Sequence, residues 1–505
     1  MKGSSFSKIL SGSFWGVASV IYDSIAKFIT IPLLIGFFGK GDYGLIALAF
    51  SLNVYLRMFD MGVGIGAIRY FSMWLVKHDT DKIIKASQSS IVFYGIIGII
   101  NTTILILVGK YANFLFELNP EQENIFRWMM YILAASTIIN WLSYNVKQLL
   151  TANEDLAWIN QLTILTSTLS LAAAILTIKF KLSLPVYFGM YIFSAIITFP
   201  INIFRLKKLN IKPLKLLIPK WHYPIFKEIL KYSLAIFAMG IFQVSAVSLR
   251  PVLLGSFTPG GVGVVTDYRV LETICLFVIT LGGIFNQVLL PASSKNLAAG
   301  DTKRTEALVY QGTKYVSIFL GLVIFGITIN ARLLLDIYVG EEFLHLTIWL
   351  VFWLLTLLKL HVAPVSNLIL STGKTKPLVL ASAIGFVASA TLTITLAPVY
   401  EVGAAVIGYL VYVIIQLGFS YFYYIPYILK LDGSRIFKSF FIPTLLAGIA
   451  AVAVLLINRY ISINSSLVRI IIQSIMFTVF FAGLCLSFIL KPKELKYLVQ
   501  KVKGK

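Results

Sequence analysis

The residues of this chain best suited to chemistry are charges set inside long apolar runs. Asp23 and Lys27 stand four apart, on one helical face with the acid N-terminal to the base. Arg57 and Asp60 follow in the next run. Arg250, Asp267, Arg269 and Glu272 come together much later, and Lys359 stands in a further run with His361 two residues on. A charge at mid-bilayer costs at least about 2.5 kcal/mol, so each needs a partner or a task. At a rise of ~1.5 Å per residue, Asp23, Lys27 and Lys359 fall near the middle of their runs. Arg57 lies toward one end, and the 250–272 group toward the other.

Lys27, Arg57, Arg250, Arg269 and Lys359 read together as the cations of a wet cavity. Such a cavity suits an anion that must cross lipid. A pyrophosphate fits because ammonium and guanidinium groups take phosphate oxygens in charge-assisted hydrogen bonds. Asp23, Asp60, Asp267 and Glu272 are the candidates to bind a coupling H+ or Na+ and release it. A structural reading competes at each point. Asp23 with Lys27 also serves as a neutral pair that locks helix packing, and Arg250 and Arg269 also snorkel outward or pair with Asp267 and Glu272.

Other chemistries lack their residues. Cys275 and Cys485 both lie in apolar runs without paired-ligand spacing, and the four histidines, His78, His222, His345 and His361, form no metal-binding cluster. No phosphate-cradling glycine loop is present, so neither a metal nor another cofactor is expected, and ATP hydrolysis is not.

The elements that must hold these charges are helices. The chain has 505 residues, 58% hydrophobic and 13% charged, about half the charge of a soluble domain. Only helices and closed barrels satisfy their backbone in lipid, and runs of about 20 residues without strict alternation are helical. Fourteen runs are expected: 13–38, 43–61, 86–109, 126–150, 157–178, 183–204, 225–256, 264–290, 312–335, 344–371, 376–397, 402–428, 438–458 and 466–490. The first is too long for a signal peptide and reads as a retained span. The second continues through Gly62-Val-Gly-Ile-Gly66 into 67–76, which reads as an interfacial helix with Arg69, Trp74 and Lys77.

The chain is also written twice. Pro32, Leu34, Gly36, Phe38, Gly41 and Gly44 recur 219 residues later as Pro251, Leu253, Gly255, Phe257, Gly260 and Gly263. Duplicated apolar bundles are how many transporters acquire two halves that rock about a site. The expected organisation is an all-α polytopic membrane protein: an N-lobe over 1–204, a basic linker over 205–224, a C-lobe over 225–428, and two extra spans with a basic tail over 429–505. Six spans per half return the chain to the same side, giving a parallel repeat.

Most Lys and Arg fall on one side when the loops are alternated from a cytoplasmic N-terminus, which places both termini inside. The densest block is Arg205, Lys207, Lys208, Lys212, Lys215, Lys220, Lys227 and Lys231. The net charge of +22 is therefore a topology signal that also attracts anionic lipid, and it calls for no nucleic acid.

The residues Ser13-Phe-Trp-Gly16, Pro32-Leu-Leu-Ile35, Gly39-Lys-Gly-Asp-Tyr-Gly44 and Phe59-Asp-Met-Gly-Val-Gly64 with Arg69 resemble the opening of polysaccharide-unit flippases. These share a superfamily with multidrug and toxin extrusion (MATE) exporters and the lipid II flippase. The resemblance implies a bacterial inner-membrane protein that moves undecaprenyl-pyrophosphate-linked oligosaccharide from the cytoplasmic to the outer leaflet by alternating access. It implies a V-shaped pair of six-helix lobes around a cationic cavity. It places family cations of the first, second and eighth helices at Lys27, Arg57 and Arg269, whereas Arg250 and Lys359 come from the charge argument alone. Polysaccharide polymerase machinery is an expected partner. Rival readings are a lipid II-type precursor flippase and a cation-coupled multidrug exporter. An enzyme is disfavoured, because membrane sugar polymerases and ligases need a sizeable outer loop and the longest here covers only 111–125.

Overall fold

The computed structural model describes residues 2–60, 62–209, 213–298, 302–372, 376–460 and 465–489. The described residues are predominantly helical, joined by short turns, with no strand among them. They form two compact units, one of Met1–Arg269 with Ala390–Ala405, the other of Val270–Ser389 with Val406–Lys505.

Eleven helices are long and apolar enough to cross a bilayer among the described residues, or twelve when the pair Gly240–Ser248 and Arg250–Phe257, bent by 43°, counts as one. The expected number was fourteen, and the difference has two sources. The stretch Phe14–Asp60, 47 residues long, covers both of the first two expected runs. It is interrupted at Gly39, whose φ of 82° belongs to the left-handed region that a side chain disfavours. The expected eighth run, 264–290, belongs to the helix Gly261–Ala298, but beyond residue 282 its side chains lie outside the described residues. The basic tail from 491 onward lies outside them too.

In the first unit, the helix Val63–Val76 is the wedge of the core. Its Val63, Ala67, Phe71 and Trp74 are buried with Tyr94, Trp141, Leu149, Leu206 and Ile229 from neighbouring helices. The segment expected to lie along the membrane surface therefore has one face sunk into the protein. Its glycines explain how. A Cβ on Gly66 would overlap the Ser233 hydroxyl, and one on Gly64 would come within 2.6 Å of the Tyr144 hydroxyl. The basic linker also docks here. Ser87 donates to the Leu216 carbonyl at 3.1 Å, Gln88 to that of Lys215 at 2.9 Å, and the His222 amide donates to Ser89 at 2.8 Å. Arg205 holds Asp155 through two bonds of 2.7 and 3.0 Å.

In the second unit, Ile329, Ala447, Ala450, Ala451, Val454, Phe477, Phe481 and Cys485 form one core cluster, and Val309, Tyr310, Val365, Leu368, Tyr424 and Ile436 another. Ala447 lets the helix Gly433–Ile457 approach Thr302–Ile329 closely, where a Cβ on Gly321 would come within 3.1 Å of it, as helices packing within lipid require.

Candidate functional site

The sequence-selected charges separate by what touches them. Asp23 and Lys27 pair at 2.6 Å, and Asp23 also accepts from Ser167 at 2.7 Å, while their sequence neighbours Tyr22 and Thr168 bond at 2.8 Å. The pair is open: the Lys27 side chain is 62% exposed and that of Asp23 30%.

Asp60 does not pair with Arg57. It sits just before the helix Val63–Val76 and accepts the Gly64 amide with both oxygens at 3.1 Å. Carboxylates suit this position because the first amides of a helix lack internal partners and carry its positive end. The Tyr94 hydroxyl donates to Asp60 at 2.8 Å and in turn accepts from Gln148 at 2.6 Å. Asp60 is thus spoken for by a helix start and a buried polar chain.

Arg57 is left exposed, and it is not alone. It lies within electrostatic range of Tyr144 and Lys147 on the helix Pro120–Ala152. Lys147 is likewise exposed, one helical turn beyond Tyr144. Neither cation has a carboxylate at ion-pair distance among the described residues. Both lie within about 8 Å of the ends of their helices at ~1.5 Å per residue. Two like charges side by side repel, and an anion placed between them removes that repulsion. Lys147 is the residue that sequence reasoning missed. The available signal was the polar face of Tyr144, Lys147 and Gln148 at helical spacing.

The remaining candidates are more enclosed. Arg250 and Asp267 are each 2% exposed and Glu272 is buried, whereas Arg269 is half-buried. Asp267 is held by Lys40, whose ammonium reaches its two oxygens at 2.7 and 2.9 Å. The Thr266 hydroxyl donates to the Lys40 carbonyl at 2.6 Å, and a Cβ on Gly44 would overlap the Val262 carbonyl. The two copies of the repeated motif therefore meet, crossing at the glycine that each retains. In the second unit, Lys359 lies over the rings of Tyr409 and Tyr412, 4.6 and 5.6 Å from their centroids.

One further feature suits a hydrocarbon chain. A groove of about 330 Å³ runs between the helices Gly433–Ile457 and Ser466–Phe488, lined by Ile449, Ala453, Val479, Phe480, Leu484 and neighbours, with Ser487 the polar member.

No family model and no curated protein matches the sequence. Solved structures do match in fold. The lipid II flippase MurJ in an inward closed conformation aligns with a TM-score of 0.72 at 15% identity, over 93% of this chain and 98% of that one. An inward-facing multidrug resistance MATE transporter of the MOP superfamily gives 0.62 at 13%, over 82% and 96%. The Vibrio cholerae MATE transporter VcmN in its bent form gives 0.55 at 17%, over 86% and 98%. The chain shares its fold with these flippase and exporter structures.

Proposed function

We propose that this protein is a flippase for a polyprenyl-pyrophosphate-linked oligosaccharide, carrying it from the inner to the outer leaflet of a bacterial cytoplasmic membrane by alternating access for surface polysaccharide synthesis. The observation that carries this reading is that Arg57 and Lys147 lie within electrostatic range of each other, with no carboxylate at ion-pair distance from either among the described residues. A diphosphate offers several oxygens to two neighbouring cations, and Arg binds such oxygens in pairs. The Tyr144 hydroxyl adds a donor beside them. Lys27, Arg250, Arg269 and Lys359 are further members of the cationic set, with Asp23 and Glu272 as sites for a coupling ion; Asp60 and Asp267, also expected to serve there, are engaged in holding the fold. The apolar groove along 433–488 supports a substrate with a hydrocarbon tail. The lobes 1–204 and 225–428, the cytoplasmic termini and a polymerase partner belong to the same proposal.

A second reading takes its support from the MurJ likeness over 93% of the chain: the headgroup is that of lipid II. One experiment separates them. Deleting the gene in its host should make a lipid-linked saccharide accumulate facing the cytoplasm, and its composition, with or without peptide, names the cargo. Wild type should restore the surface polymer, whereas R57A/K147A at equal expression should not. Full restoration by that double variant would overturn the pyrophosphate clamp.

A further inference from the structure

The span Glu341–Ile369 is not one continuous α-helix. It tightens into a 3-10 turn at Leu357–Val362, between the helices Thr347–Thr356 and Ala363–Thr372. The cause is in the sequence. Pro364 lacks an amide hydrogen, and its ring crowds the carbonyl four residues back, so Leu360 cannot accept in the α pattern. The Ala363 amide takes the Leu360 carbonyl instead, three residues on.

Lys359 and His361 both stand on this turn. His361 is 2% exposed, and both of its ring nitrogens are engaged. Nδ1 lies 2.8 Å from the Leu358 carbonyl, and Nε2 lies 2.8 Å from the Tyr421 hydroxyl. A carbonyl only accepts, which assigns the hydrogen to Nδ1 and makes the Tyr421 hydroxyl the donor to Nε2. The imidazole face lies on Phe440, with centroids 3.8 Å apart and planes at 19°. In filling the Leu358 carbonyl from the side, the ring favours the tight turn over the α-helix. Tyr421 itself belongs to a second departure from α geometry, the π-helical stretch Ser420–Ile428 around Pro426. The α-helix Val402–Phe419 leading into that stretch carries Tyr409 and Tyr412, the rings under the Lys359 ammonium.

One proline-broken turn is thus fastened at both its polar side chains to a single helical run. We infer that His361 is a positioning residue: its bonds to Leu358 and Tyr421 hold the turn in the form that seats Lys359 on Tyr409 and Tyr412. The consequence for ligand affinity rests on the reading above, in which Lys359 belongs to the pyrophosphate-binding set. The consequence for Lys359 itself does not.

The test uses the full chain in detergent and two measurements. Acylation of Lys359 by an amine-reactive reagent, read by mass spectrometry with Lys314 of the same unit as control, reports how the ammonium is seated. Binding of farnesyl pyrophosphate, read by calorimetry, reports ligand affinity. Tyr421→Phe keeps the ring and removes the donor; His361→Phe keeps the stack on Phe440 and removes both hydrogen bonds. Each should raise Lys359 acylation about five-fold, the order set by one net hydrogen bond, and weaken the probe by a similar factor. His361→Gln, which can again accept from Tyr421, should recover most of both. Unchanged Lys359 acylation in a folded Tyr421→Phe protein would overturn the inference. Absence of probe binding by the wild type would instead count against the pyrophosphate reading, leaving the acylation result to decide the positioning role.

Discussion

Two cationic regions of the first unit carry similar side chains to different ends. Lys40 is spent on Asp267, a carboxylate with 2% exposure, at a place where the chain passes a glycine close to another backbone. Arg57 and Lys147 lie within electrostatic range of each other, with Asp60 already committed to Tyr94 and the Gly64 amide. A lysine among apolar residues is therefore not a binding group by virtue of its depth. Its nearest acid decides. Where the acid is buried and shared, the cation maintains the fold; where the acid is engaged elsewhere, the cation stays available to a ligand.

This contrast is easiest to break at its buried end. Lys40→Ala withdraws an ammonium from a buried carboxylate, a change that typically costs about 3–5 kcal/mol. A clear drop in melting temperature in detergent is the expected outcome, and an unchanged melt would erase the distinction. Lys147→Ala should show the opposite pattern: a melt like wild type, with farnesyl pyrophosphate binding weakened roughly ten-fold, as expected for one charge-assisted hydrogen bond. Lys27→Ala should lower the melt only slightly, because an ion pair this exposed contributes under about 1 kcal/mol. A melt depressed as far as that of Lys40→Ala would show that Asp23 and Lys27 are structural after all.

Much of the architecture was legible in the residues. Apolar runs announced the helices, and Gly39-Lys-Gly-Asp-Tyr-Gly44 announced the break between the first two, where Gly39 does take a positive φ. The run after Gly62 was read as a separate helix, and it is one. Its burial was not visible, because Gly64 and Gly66 matter through Tyr144 and Ser233, residues far away in the chain. The site was read less completely for the same reason. Asp60 was read as a coupling-ion candidate, yet Tyr94 and the helix start claim the acid first. Lys147 was overlooked because a lysine five residues from a helix end resembles an ordinary topology signal until its neighbour is known. Charge location is local information, whereas charge availability is tertiary.

The meeting of the two motif copies is symmetric in one respect and not in another. Gly44 faces Val262, and its counterpart Gly263 faces Lys40, so each copy touches the equivalent stretch of the other, as identical subunits do across a two-fold axis. Applied to the ion pair, the same 219-residue offset leads from Lys40 to Pro259 and from Asp267 to Leu48. Neither mirror position bears a charge. The seam between the two copies thus repeats its glycines but not its charges, and a single ion pair fastens one of two positions that the repeat makes equivalent.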